Sequence, residues 1–109
     1  HWVCDPIDAT RGFINGRQYA IGIALLDNGR ITCGVIGCPN FPAAPVTSTL
    51  GKADLSGSAT NQGWIFAAAI DQGAVAAPMW TDDPLLDSEP IRMKIPDDVS
   101  EAVYMESYA

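Results

Sequence analysis

Six consecutive residues near the start of the chain, Asp5-Pro6-Ile7-Asp8-Ala9-Thr10, carry the groups best suited to chemistry. Asp5 and Asp8 are hard oxygen ligands of the kind a magnesium ion prefers. Pro6 restricts its own φ and drives Asp5 into an extended conformation. A strand ending at Asp5 can therefore turn at once. Such a turn can aim the Asp5 carboxylate, the Ile7 carbonyl and the Asp8 carboxylate at one point. Thr10 adds a hydroxyl close to whatever an ion there would hold. On spacing alone, an ordinary turn that satisfies its own backbone accounts better for Asp-Pro-x-Asp, because Asp and Pro both suit turn positions.

The elements that must position these groups belong to a chain of 109 residues, enough for one small domain and too few for two. Hydrophobic residues make up 48%, which supports a packed core. No apolar run reaches the ~18 residues that span a bilayer. Six basic against thirteen acidic side chains give a net charge of −7. That balance weighs against a nucleic-acid polymer as partner, since such binders carry a basic stripe. It leaves room for a small phosphate compound, because a bound cation can dominate the local field. Cys4, Cys33 and Cys38 are odd in number and each lies among apolar neighbours. They predict buried, reduced thiols of a cytosolic protein rather than a disulfide or metal set. His1 is the only histidine, so zinc has few ligands to draw on.

Taken in order, Trp2 to Cys4 predicts a short buried strand that delivers Asp5. Arg11 to Gln18, with Gly12 and Gly16, predicts a loop or single turn. Tyr19–Leu26 and Arg30–Ile36 flank Asn28-Gly29 and predict an antiparallel hairpin inside a covered sheet. Gly22, Gly34 and Gly37 point to close packing or a bulge. Cys38 to Pro42 ends the second strand. Residues 43–63 predict a long surface loop. Trp64 to Ile70, the turn Asp71-Gln72-Gly73, and Ala74 to Met79 predict a second hairpin, with a helix over Ala67-Ala68-Ala69 as the alternative. Thr81 to Pro90 predicts an acidic loop in which Asp82 and Asp83 are solvated. Ile91 to Ile95 alternates apolar and basic and predicts a half-exposed strand. Pro96-Asp97-Asp98 breaks it, and Ala102 to Met105 predicts another strand. Trp2, Trp64 and Phe66 are assigned to the core, and Arg11 and Arg17 to the solvated surface.

The run from Trp2 to Phe13, Trp-Val-Cys-Asp-Pro-Ile-Asp-Ala-Thr-Arg-Gly-Phe, resembles a family signature. That signature is Trp-x-x-Asp-Pro-Ile-Asp-Gly-Thr-Lys-Gly-Phe of the lithium-sensitive, magnesium-dependent phosphatases, the inositol monophosphatase-like superfamily. Gln18-Tyr19-Ala20 and the run Gly34-Val35-Ile36-Gly37-Cys38-Pro39-Asn40 resemble its 3′(2′),5′-bisphosphate nucleotidase branch. So does the stretch from Gly63-Trp64-Ile65-Phe66 to Gly73-Ala74. The inositol monophosphatase branch carries Thr-Asn-Phe-Val-His directly after its Asp-Gly-Thr and lacks the Gly-Cys-Pro-Asn ending.

The resemblance implies a layered α/β (α+β) sugar-phosphatase fold. Residues 1–109 would be one partial domain, its central segment, built mostly of antiparallel hairpins. It implies magnesium-dependent removal of the 3′-phosphate from adenosine 3′,5′-bisphosphate, and action on phosphoadenylyl sulfate, by a cytoplasmic monomer of sulfur assimilation. By the family's pattern Asp5 and Asp8 are metal carboxylates, Ile7 binds metal through its carbonyl, and Thr10 orients the attacking water. The amides of Ala9 and Thr10 hold the phosphate. Further metal ligands and most adenosine contacts would lie before His1 and after Ala109, so the chain holds about half of a metal site. Two residues depart from the pattern. Ala9 stands in place of Gly, and its Cβ costs about 1 kcal/mol if that position needs φ > 0. Arg11 stands in place of Lys. The alternatives are a phosphatase of inositol phosphates and a non-catalytic fragment.

Overall fold

The structure is a computed structural model that describes residues 1–41, 62–93 and 95–102. These residues form one six-stranded sheet in which each strand lies beside its neighbour in sequence. The strands are β1 (Trp2–Asp8), β2 (Ala20–Asp27), β3 (Arg30–Cys38), β4 (Trp64–Ala69), β5 (Gly73–Pro78) and β6 (Glu89–Ile91). Every pairing is antiparallel. Between β1 and β2 lies one short helix, α1 (Thr10–Ile14), and a 3-10 turn covers Val99–Glu101.

The two hairpins form where the turn residues ask for them. Asn28 (φ 50°) and Gly29 (φ 76°) both sit in the left-handed region, which matches the twist of the flanking strands. Strand wins over helix at Ala67-Ala68-Ala69 because each residue is paired on both sides, with β3 and with β5. Gly37 meets Met79 closely: a Cβ there would lie 3.1 Å from the methionine Cε. At the far end of β4, Trp64 stacks edge-on to Trp80 and Phe66 to Phe41.

Several expectations are corrected. β1 runs on to Asp8 instead of stopping at Cys4, and all seven of its residues are exposed rather than buried. It is the edge of this sheet, a place where a proline such as Pro6 is tolerated because no neighbour needs its missing N–H. Trp2, assigned to the core, is 65% exposed, while Trp64 and Phe66 are half-buried. The cysteines are free but not buried: Cys4 is exposed, and Cys33 and Cys38 are half-buried. The predicted strand over Ile91–Ile95 is displaced to Glu89–Ile91. β6 pairs Ile91 with Ala74, so Arg92 would next face Gly73, where the chain turns at φ 74° and β5 ends. Without a partner the strand stops, and Met93 and Ile95 are left exposed.

The long loop predicted over 43–63 falls, except for Gln62 and Gly63, outside the described residues. So does the strand predicted from Ala102, apart from Ala102 itself, which is not in a strand. The hairpins are not covered: Ala76 and Ala77 on β5 are the only buried hydrophobic residues among those described. No helix among the described residues is long and apolar enough to cross a membrane.

Candidate metal and phosphate site

The site is built by an irregularity in β1, not by a turn at Asp5. Asp5 pairs with Gly22, and Asp8 pairs with Ala20. Three steps along β1 are therefore matched by two along β2, so β1 carries one extra residue, and Pro6 and Ile7 have no register partner. This is a β-bulge. In a regular strand, residues three apart point to opposite faces. The extra residue cancels that alternation. Gly22 and Ala20 lie on one face of β2, so the register brings Asp5 and Asp8 to one face as well.

The residues opposite the carboxylates are small. Gly22 has no side chain, and a Cβ there would sit 4.0 Å from the Asp5 Cβ. Val3 shares the same face, and a shallow apolar hollow of ≈480 Å³ begins beside it, with Gly34, Ile36 and Phe66 in its lining. Asp5 is the only charged group lining this hollow, and Asp8 does not reach it. The hollow's apolar lining does not suit a bisphosphate.

Directly after Asp8 the chain reverses at Ala9, whose φ of 63° and ψ of 55° are left-handed. The position thus requires φ > 0, and the alanine Cβ costs about 1–2 kcal/mol against glycine-like freedom. Ala9 is the N-cap of α1 and provides no side-chain cap. Part of the self-satisfying turn is present: the Ala9 amide donates to Asp8 Oδ1 at 3.0 Å. That bond occupies one of the two amides the family pattern assigns to phosphate. Thr10 is the first residue of α1, and the leading amides of a helix have no partner within it. Arg11, Arg17, Asp82 and Asp83 are exposed as expected, and Asp83 Oδ1 accepts from the Leu86 amide at 3.1 Å.

The donor set fits magnesium in kind. Two carboxylates share a face, and the Ile7 carbonyl belongs to the bulge between them. It is incomplete in number, because among the described residues no group of three or more Asp, Glu, His or Cys side chains could hold a metal. Three oxygens make half of an octahedral shell.

Sequence reasoning missed two features of the neighbourhood. One is the small-residue pair Ala20 and Gly22 facing the carboxylates, which only the register reveals. The other is a polar knot around Asn40. Asn40 stands in the Gly-Cys-Pro-Asn run already singled out, but its contacts are 22 and 23 residues away in sequence.

The family model for the inositol monophosphatase family matches residues 1–104, and the chain belongs to that family. It is 39% identical over 108 residues to a 3′(2′),5′-bisphosphate nucleotidase of Emericella nidulans, covering 96% of this chain and 30% of that protein. It is 39% identical over 110 residues to a probable 3′(2′),5′-bisphosphate nucleotidase 3 of Arabidopsis thaliana, covering 99% of this chain and 28% of that protein. A 3′(2′),5′-bisphosphate nucleotidase of Dictyostelium discoideum is 31% identical over 107 residues, 98% of this chain and 28% of the other. The chain spans less than a third of the length of these relatives.

Proposed function

We propose that this chain is the sheet segment of a single layered α/β phosphatase domain, a magnesium-dependent phosphomonoesterase. It removes the 3′-phosphate from adenosine 3′,5′-bisphosphate, giving AMP and phosphate, and also acts on the sulfated analogue. The observation that carries the reading is the bulge that turns Asp5 and Asp8 to one face immediately before α1. The relatives' names supply the substrate. A small-molecule substrate, a cytoplasmic location and a monomeric state belong to the same reading.

In this reading Asp5, Asp8 and the Ile7 carbonyl would hold a magnesium ion. The chemistry such an ion supplies when bound is charge neutralisation at the phosphoryl group and acidification of water. The chain's own part is placement, because phosphoryl transfer needs alignment and electrostatic support more than covalent help. The Thr10 hydroxyl orients the attacking water. The Thr10 amide faces the phosphate at the start of α1, and the Ala9 amide joins it by exchanging its bond to Asp8.

The test is phosphate release by the intact protein. Asp5→Asn and Asp8→Asn are each expected to lower kcat on the order of 10²–10³-fold. Wild-type rates in both variants would reject the metal turn. A second reading, action on inositol phosphates, rests on the family itself. Faster release from an inositol phosphate than from adenosine bisphosphate would establish it. The 109-residue chain alone is expected to bind magnesium weakly and release no phosphate, and tight stoichiometric binding by calorimetry would contradict the half-shell count.

A further inference from the structure

Local bonds hold the turn at Ala9 only in part, through the Ala9 amide to Asp8 Oδ1 and the Phe13 amide to the Ala9 carbonyl. Its left-handed alanine is strained, and α1 starts without a side-chain cap. The helix is only five residues long, too short to be stable by its own hydrogen bonds. Its position must come from what grips its other end.

That grip centres on Asn40, two residues past β3. Asn40 Nδ2 donates to the Arg17 carbonyl at 2.6 Å. The Asn40 carbonyl accepts from Gln18 Nε2 at 2.6 Å. Asn40 Oδ1 accepts from Gln62 Nε2 at 3.3 Å, which ties the same residue to the approach to β4. The grip passes into the helix, because the Arg17 amide donates to the Gly12 carbonyl at 2.7 Å. Gly12 and Gln18 are in such close approach that a Cβ on Gly12 would overlap the Gln18 carbonyl oxygen. Phe13 packs edge-on against Tyr19 with ring centroids 4.9 Å apart. On the other side, the Gly63 amide donates to the Phe41 carbonyl at 2.8 Å, and the Met79 amide to the Gly63 carbonyl at 3.0 Å. Asn40 therefore sits between α1 and the ends of three strands.

We propose that Asn40 is the positioning residue of the candidate site. It holds Arg17 and Gln18, through them α1, and through α1 the Thr10 hydroxyl and the Ala9–Thr10 amides relative to Asp5 and Asp8. The inference deepens the phosphatase reading and rests on it for its catalytic consequence.

The test compares Asn40→Asp with Thr32→Val in the intact protein. The first exchanges the Nδ2 donor for an acceptor facing the Arg17 carbonyl. The second removes the Thr32 Oγ1 bond to the Leu25 carbonyl, 3.1 Å, at the opposite end of the sheet. Amide hydrogen exchange over residues 9–14 is expected to quicken on the order of tenfold in Asn40→Asp and not in Thr32→Val. kcat for phosphate release is expected to fall on the order of tenfold or more, with KM moving less than about threefold, because alignment and not affinity is lost. Unchanged exchange in Asn40→Asp overturns the proposal. Faster exchange with wild-type kcat in an active protein also overturns it. If the wild-type protein releases no phosphate, the phosphatase reading fails, and the exchange result alone decides whether Asn40 holds the turn.

Discussion

The two ends of β2 show the same backbone conformation built from different residues. At one end the chain reverses through Asn28 (φ 50°) and Gly29 (φ 76°), residues that enter the left-handed region cheaply. At the other end it reverses through Ala9 (φ 63°), which does not. The first reversal joins two long, paired strands, β2 and β3, whose one register shift lies beside the turn. The second follows a bulge in an exposed edge strand and leads into a five-residue helix. Irregularity and strain gather at the end that carries Asp5 and Asp8. Strain persists only where the surroundings over-determine it, and such places tend to be functional. Here the surroundings are Asn40, Gln18 and the close fit at Gly12.

The largest expected effect probes that fit. Gly12→Ala forces a Cβ against the Gln18 carbonyl, so something must shift. Denaturant unfolding should show a loss of about 3 kcal/mol. A loss below ~1 kcal/mol would mean that α1 is not held tightly and would weaken the contrast between the two ends.

Next, Gly29→Ala should cost about 1 kcal/mol. Nothing lies within 4 Å of the new Cβ, so backbone strain alone is measured. Ala9→Gly is its mirror image. Relief of about 1–2 kcal/mol of strain, less roughly 0.4–1 kcal/mol of added freedom in the unfolded chain, leaves a gain of about 0–1.6 kcal/mol. If Ala9→Gly destabilises the protein instead, the two reversals are not equivalent and the comparison breaks.

The smallest effect sharpens the reading of Asp8. Asp98 also accepts a backbone amide, from Ser100 at 2.9 Å, and it stands in an exposed 3-10 turn away from the site. The bonds from the Ser100 amide and hydroxyl hold its carboxyl below the usual carboxylate range. A depressed pKa in the folded state stabilises above the unfolded pKa and stops doing so as pH falls through the folded one. The Tm difference between wild type and Asp98→Ala should therefore be small at neutral pH and close as pH drops below about 4. A difference that persisted under acid would mean that the side chain packs rather than caps.

Much of the fold was legible in the residues. Asn28-Gly29 located the first hairpin, and Gly73 located the end of the second turn. Both signals work because turn chemistry is local. The errors share a cause. β6 ends at Ile91 because β5 runs out opposite it, and no residue between Ile91 and Ile95 records where its partner stops. β1 is exposed because it lies at the sheet's edge, and an edge strand has the same apolar composition as a buried one. In the candidate site, the types and order of Asp5, Ile7, Asp8 and Thr10 could be read directly. The bulge that aligns the carboxylates could not, because it is a mismatch between two strands.

By itself the sequence determined the types and order of the candidate donors, and it set a turn at Asp5, which the structure moves to Ala9, beyond Asp8. Those follow from side-chain chemistry and from the narrow choices open to Pro6 and Gly-like positions. Only the tertiary structure decided that the two carboxylates share a face, that Ala9 adopts the left-handed conformation, and that Asn40 reaches back to Arg17. Each of these depends on register or on contact between residues far apart in sequence. Such relations exist only once the strands have paired.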